Sequence, residues 1–97
     1  MLRMDKNAIN RLYLAVKSLE TVEECSAFFD DICTVQELEA LAQRLEVACQ
    51  LLDGKSYVDI NKSTGASTAT ICRVSKCLNY GDGGYKTVID RIKGENI

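Results

Sequence analysis

Five cysteines and no histidine limit the chemistry open to this 97-residue chain. The thiols stand at Cys25, Cys33, Cys49, Cys72 and Cys77, an odd number that cannot form a closed disulfide framework. No two are spaced as C-x-x-C, so the closely paired soft ligands of a zinc site are missing. Such thiols read as small apolar residues on helix faces. The absence of histidine also removes the commonest general base, leaving only a carboxylate or a lysine for hydrolytic work. No nucleophile dyad or metal cluster emerges, so no enzyme activity, cofactor or metal is expected.

The side chains best suited to chemistry lie in Ser67-Thr-Ala-Thr-Ile-Cys-Arg73 and at Lys76. Read as a helix capped by Ser67, this stretch turns Ile71 and Val74 to one side and Thr68, Ala69, Cys72, Arg73 and Lys76 to the other. Short side chains come first and cations follow, which suits a helix entering the DNA major groove by its N-terminal end. Hydroxyls and cations bind phosphates, and threonine or alanine methyl groups can touch a thymine methyl. Ser67, Thr68, Ala69, Thr70, Cys72, Arg73 and Lys76 are therefore the expected DNA-binding residues.

Net charge looks unfavourable, at −2 with a pI near 5.1. Its distribution is uneven, however. Residues 1–54 hold five Lys or Arg against ten Asp or Glu, giving −5, and residues 55–97 hold seven against four, giving +3. The acidic half would serve assembly and the basic half would face DNA. Non-specific affinity should be weak, since few phosphates are neutralised.

The elements that must position these residues are helical. An apolar fraction of 46% with 27% charged residues describes a globular chain, and its length allows a single domain over 1–97. The absence of proline favours uninterrupted helices. Ile9, Leu12, Tyr13, Val16 and Leu19 form one stripe of a first helix. Thr21-Val-Glu-Glu24 is a capping box opening a second helix through Phe28, Phe29 and Ile32, and Thr34-Val-Gln-Glu37 is another. The latter opens the longest helix, with Leu38, Leu41, Leu45, Ala48 and Leu52 on one face and Gly54 as its stop. A last helix follows from Tyr85, Val88, Ile89 and Ile92. No segment alternates with period two long enough for a strand, so the expected fold is all-α. Met1-Leu2-Arg3-Met4-Asp5-Lys6 lacks the apolar region of a secretory signal, and no run approaches the ~18 apolar residues of a membrane span. A cytoplasmic protein with no membrane partner is expected.

Between Lys55 and Leu78 the pattern sharpens. Ser56-Tyr-Val-Asp59 reads as a cap starting a helix of about two turns, which ends at Thr64-Gly65-Ala66. Gly65 can take the positive φ of a tight turn, and a second helix runs from Thr68 to about Leu78. Two helices joined by a short glycine turn make a helix-turn-helix, here at about 56–78. Ile60, Ala66, Ile71 and Val74 supply the apolar or small residues needed around the glycine. Asn61 departs, standing where a small residue is the norm. It must hydrogen-bond across the junction or open the helix pair.

Thr34-Val-Gln-Glu-Leu-Glu-Ala-Leu-Ala-Gln-Arg44, Leu51-Leu-Asp-Gly54 and Gly65-Ala-Ser-Thr-Ala-Thr-Ile-Cys-Arg73 together resemble the Trp repressor superfamily. With Cys77-Leu-Asn-Tyr-Gly81 and Gly84-Tyr85 after them, they resemble its small bacterial members of the YerC/YecD type. The resemblance spans roughly residues 8–93. It implies a six-helix, intertwined homodimer whose N-terminal helices share a core. It also implies a small-molecule site, since tryptophan-sensing members sandwich an indole between two arginines. Arg44 and Arg73 match those positions, Thr34 matches a residue near the ligand, and Cys77 stands where a serine hydroxyl takes the ligand's ammonium group. Val74 stands where a glycine leaves room for the ring. Overpacking of this kind costs ~1–3 kcal/mol, and a buried ammonium without its partner costs more. Tryptophan is therefore not expected as effector, and Arg44 and Arg73 read equally well as a solvated helix residue and a phosphate contact.

Phe28-Phe29 reads as dimer core, and the Glu23-Glu24 and Asp30-Asp31 pairs as a solvated face. Gly81-Asp-Gly-Gly84 lacks the strand and the Lys-Ser/Thr end of a phosphate loop and reads as a link to the last helix. Two functions fit the residues. The first is a dimeric, sequence-specific DNA-binding transcriptional regulator, repressor-like, with double-stranded DNA and an unidentified small-molecule effector as candidate partners. The second is a non-enzymatic helical dimer acting as a protein-interaction module, favoured by the low pI and Asn61.

Overall fold

A computed structural model describes residues 5–93; the leader expectation for Met1–Met4 lies outside them. Six helices follow in order: α1 (Lys6–Lys17), α2 (Val22–Ile32), α3 (Val35–Leu52), α4 (Tyr57–Thr64), α5 (Thr68–Tyr80) and α6 (Gly84–Ile92). There is no strand among the described residues, and none of these helices is long and apolar enough to cross a membrane. The chain divides into two compact units between Leu38 and Glu39, inside the continuous α3.

The caps explain where the helices start. Thr34 and Glu37 form a reciprocal box, the Glu37 N–H donating to Thr34 Oγ1 at 3.1 Å and the Thr34 N–H to Glu37 Oε1 at 2.8 Å. The Thr34 amide, donating to the carboxylate, and then the Thr34 hydroxyl hold the Glu37 acid below its ordinary value. The second box is offset. Glu24 donates its N–H to Thr21 Oγ1, but its own carboxylate takes the Glu20 N–H at 2.9 Å, one residue earlier than expected. Ser56 accepts the Asp59 N–H at 3.2 Å to start α4.

The ends correct two boundaries. Leu19, assigned above to the first stripe, lies beyond α1, which stops at Lys17. The Ser18 hydroxyl donates to the Ala15 carbonyl at 2.6 Å, offering the chain a local alternative to the helical ladder. Helix α5 runs two residues past Leu78, to Tyr80, where Gly81 caps it by donating to the Cys77 carbonyl. Gly54 ends α3 as expected. Its φ of 81° lets its N–H reach the Leu51 carbonyl while Lys55 reaches Gln50, both bonds of a Schellman motif.

In the unit from Glu39 onward, Val47 and Ala48 of α3, Ile60 of α4, Ala66 of the turn, Ile71 and Val74 of α5, and Ile89 of α6 form one buried cluster. Leu45, Cys49, Leu51, Leu78 and Tyr85 pack around it. Partial burial among apolar neighbours, with Glu46 and Asp53 nearby, pushes the Cys49 thiol above its ordinary value. The α3 stripe therefore needs correcting: Val47 is fully buried, whereas Leu41 keeps 44% of its surface exposed. Helix α3 is apolar on two faces, and the core takes the Val47 side.

The unit before Glu39 differs. Neither α1 nor α2 has a buried residue. Phe28 and Phe29 meet edge to face, with centroids 5.6 Å apart. Yet Tyr13, Leu14, Val22 and Ile32 stand exposed, Val22 at 80%. As it stands, this unit has amphipathic helices without a closed core.

Candidate functional site

Helices α4 and α5 pack together around the turn at Gly65, whose φ of 74° is left-handed and unstrained only for glycine. Ile60, Ala66, Ile71 and Val74 all lie in the buried cluster, as a helix-turn-helix requires. The Asn61 amide donates to the Ala66 carbonyl at 2.8 Å, the cross-junction bond that its polarity demands. Thr64 closes the same corner, its hydroxyl donating to the Ile60 carbonyl at 2.7 Å and accepting the Ala66 N–H at 3.1 Å.

Helix α3 braces this hairpin from outside through residues that the sequence pattern passed over. Gln43 Nε2 donates to the Thr64 carbonyl at 3.1 Å, and the Ser63 hydroxyl donates to Gln50 Oε1 at 2.7 Å. Both glutamines sit on α3 at a spacing of two turns, and that periodicity, set against the serine and threonine closing α4, was the signal available.

Ser67 is the N-cap of α5, its hydroxyl oxygen accepting the Thr70 N–H at 3.2 Å and donating to Thr70 Oγ1 at 3.1 Å. Thr68, Ala69, Cys72, Arg73 and Lys76 are exposed, while Ile71 and Val74 face the core. Thr70 departs from this group. It is half-buried, bonded to Ser67, and turned to a different flank of the helix.

That flank opens on a crevice of about 270 Å³ lined by Arg44, Thr70, Arg73, Val74, Cys77 and Tyr85. Arg44, Arg73 and Cys77, expected together, do meet here. Among the described residues no carboxylate lines it, so two guanidinium groups set its polarity. Val74 is 1% exposed and fills one wall with its isopropyl group. Thr70, expected on the DNA face, and Tyr85, expected only as part of the last helix, are lining residues that the sequence did not assign to this site. Thr34 belongs to the first unit, where its hydroxyl and amide are engaged in the α3 cap.

The profile of the family described as Trp repressor protein matches residues 7–93. The uncharacterized protein YerC of Bacillus subtilis (strain 168) is 52% identical over 85 residues, covering 88% of this chain and 82% of that protein. The crystal structure of a TrpR like protein from Eubacterium eligens ATCC 27750 superposes with a TM-score of 0.87 at 43% identity, covering 96% of each chain. A Staphylococcus aureus protein given the provisional description Trp repressor also superposes at 0.87 and 43% identity, covering 96% of this chain and 93% of its own. This chain, an all-α protein of six helices with a helix-turn-helix at α4–α5, belongs to the Trp repressor family.

Proposed function

We propose that the protein is a cytoplasmic, sequence-specific DNA-binding transcriptional regulator, repressor-like and non-enzymatic, that acts as an intertwined homodimer. One observation carries the reading. The face of α5 opposite buried Ile71 and Val74 presents Thr68, Ala69, Cys72, Arg73 and Lys76 to solvent behind a Ser67 cap. Methyl and hydroxyl groups at the helix start read base edges and phosphates, and the cations behind them neutralise the backbone. The Asn61 bond to Ala66 supports this reading over an interaction module, because the helix pair is fastened shut rather than opened.

The homodimer is supported by α1 and α2, whose exposed Tyr13, Leu14, Val22 and Ile32 need a cover that a second copy supplies. A dimer also sets two recognition helices to meet successive major grooves about 34 Å apart. The Arg44–Arg73 crevice is read as the seat of a small anionic effector. Binding there would press on α5 and alter its tilt, coupling the effector to DNA affinity.

Fluorescence polarisation on mixed genomic duplex at two salt concentrations tests the reading. A regulator shows affinity falling with salt, with a log–log slope of about −0.9 per phosphate neutralised. A protein-interaction module leaves the polarisation flat at both.

A further inference from the structure

We propose that the groove between the start of α4 and the last turns of α5 carries the DNA phosphodiester backbone at the rim of the major groove. The inference rests on the DNA-binding reading and extends it to side chains outside the recognition surface. An open groove of about 440 Å³ is lined by Tyr57 from α4 and by Cys72, Arg73, Lys76, Asn79 and Tyr80 from α5, with no carboxylate in its lining among the described residues.

Helical geometry continues the recognition face into this groove. Ala69, Cys72, Lys76, Asn79 and Tyr80 recur at i, i+3, i+7, i+10 and i+11, on the side of α5 away from Ile71 and Val74. Ala69 and Tyr80 are eleven residues apart, roughly 16 Å along the axis at ~1.5 Å each. The major groove is only ≈ 12 Å wide. A helix that enters by its N-terminal end therefore carries its last turns over the phosphates that border the groove. The two residues by which α5 runs beyond Leu78, Asn79 and Tyr80, lie at that rim.

The groove's chemistry fits the backbone and not the bases. Lys76 and Arg73 supply positive charge, while the Tyr57 hydroxyl and the Asn79 amide are neutral donors of the kind that bind phosphate oxygens. Tyr80 is 86% exposed, so its ring and hydroxyl are free to lie against a sugar or phosphate. These contacts carry no sequence information, so they add affinity without adding specificity.

Polarisation titrations with a fragment selected from random duplexes and with the unselected pool test this. Lys76→Ala should lower affinity about tenfold for both and flatten the salt slope by about 0.9. Tyr57→Phe, which removes one hydroxyl, and Asn79→Ala should each lower it about three- to tenfold for both, leaving their ratio unchanged. Circular dichroism checks that each variant keeps its helices. If the parent binds DNA and Ala69→Asp abolishes recognition, yet Tyr57→Phe and Asn79→Ala bind like the parent, the groove inference falls and the DNA reading stands. If the parent binds neither duplex, the DNA reading itself falls and takes the groove with it.

Discussion

The side-chain amide of Asn61 donates to the backbone carbonyl of Ala66 at 2.8 Å, tying the body of α4 to the turn that precedes α5. Ala66 is buried, so its carbonyl has little recourse to water once that donor is removed. Asn61→Ala should destabilise the protein by about 1–2 kcal/mol in urea unfolding, and Asn61→Asp, which offers a carboxylate and no donor, by more. Equal stability of all three proteins would show that the bond contributes nothing.

Glu37 gives a pH test at the start of α3. Its folded-state value lies below its unfolded one, because the Thr34 amide and hydroxyl both bond to its box. The stabilisation is therefore complete above the ordinary carboxylate range and is lost as pH falls through the lowered folded value. An NMR titration should find Glu37 protonating below the ordinary carboxylate range, and Thr34→Ala should move it partway back. The amide, the larger contributor, survives that substitution. A Glu37 curve centred in the ordinary carboxylate range would contradict the cap.

Tryptophan should not bind the Arg44–Arg73 crevice. Buried Val74 occupies space that an indole ring needs, and Cys77 offers no hydroxyl for an ammonium group. Calorimetry with millimolar L-tryptophan should give no saturable heat, and DNA affinity should be the same with and without it. Val74→Gly combined with Cys77→Ser should create measurable affinity for an indole amino acid. A micromolar dissociation constant in the parent protein would refute the steric argument.

Assembly is tested by sedimentation. With α1 and α2 burying no side chain of their own, the protein should run as a dimer at micromolar concentration. Removal of residues 1–33 should leave an aggregating or unfolded remainder. A well-folded monomer after that deletion would contradict the shared core.

Much of this was legible in the residues because local rules dominate helical chains. Thr34-x-x-Glu37, Gly54 and Gly65 each satisfy a backbone requirement within a few positions, and each forms its expected turn or cap. What escaped was set by tertiary context. Val47 replaces Leu41 as core because α3 is apolar on two faces and the pattern does not say which one the same unit covers. Leu19 fitted the stripe, but α1 stops at Lys17 with Ser18 as its cap, a boundary that no spacing of apolar residues encodes. In the crevice, Arg44, Arg73 and Cys77 were placed by resemblance, whereas Thr70 and Tyr85 enter through α5 and α6 packing that no spacing rule encodes.

The central claim is that the exposed face of α5 reads DNA, and Ala69→Asp tests it most directly. Ala69 is exposed in the first turn of α5, so a carboxylate there disturbs no core packing and is favoured by the helix dipole. The variant should keep its helical signal and thermal midpoint. Against DNA fragments selected by the parent protein, polarisation should show specific binding abolished, because the new charge faces the phosphates and base edges. Parent-like affinity in a folded Ala69→Asp protein would contradict the account.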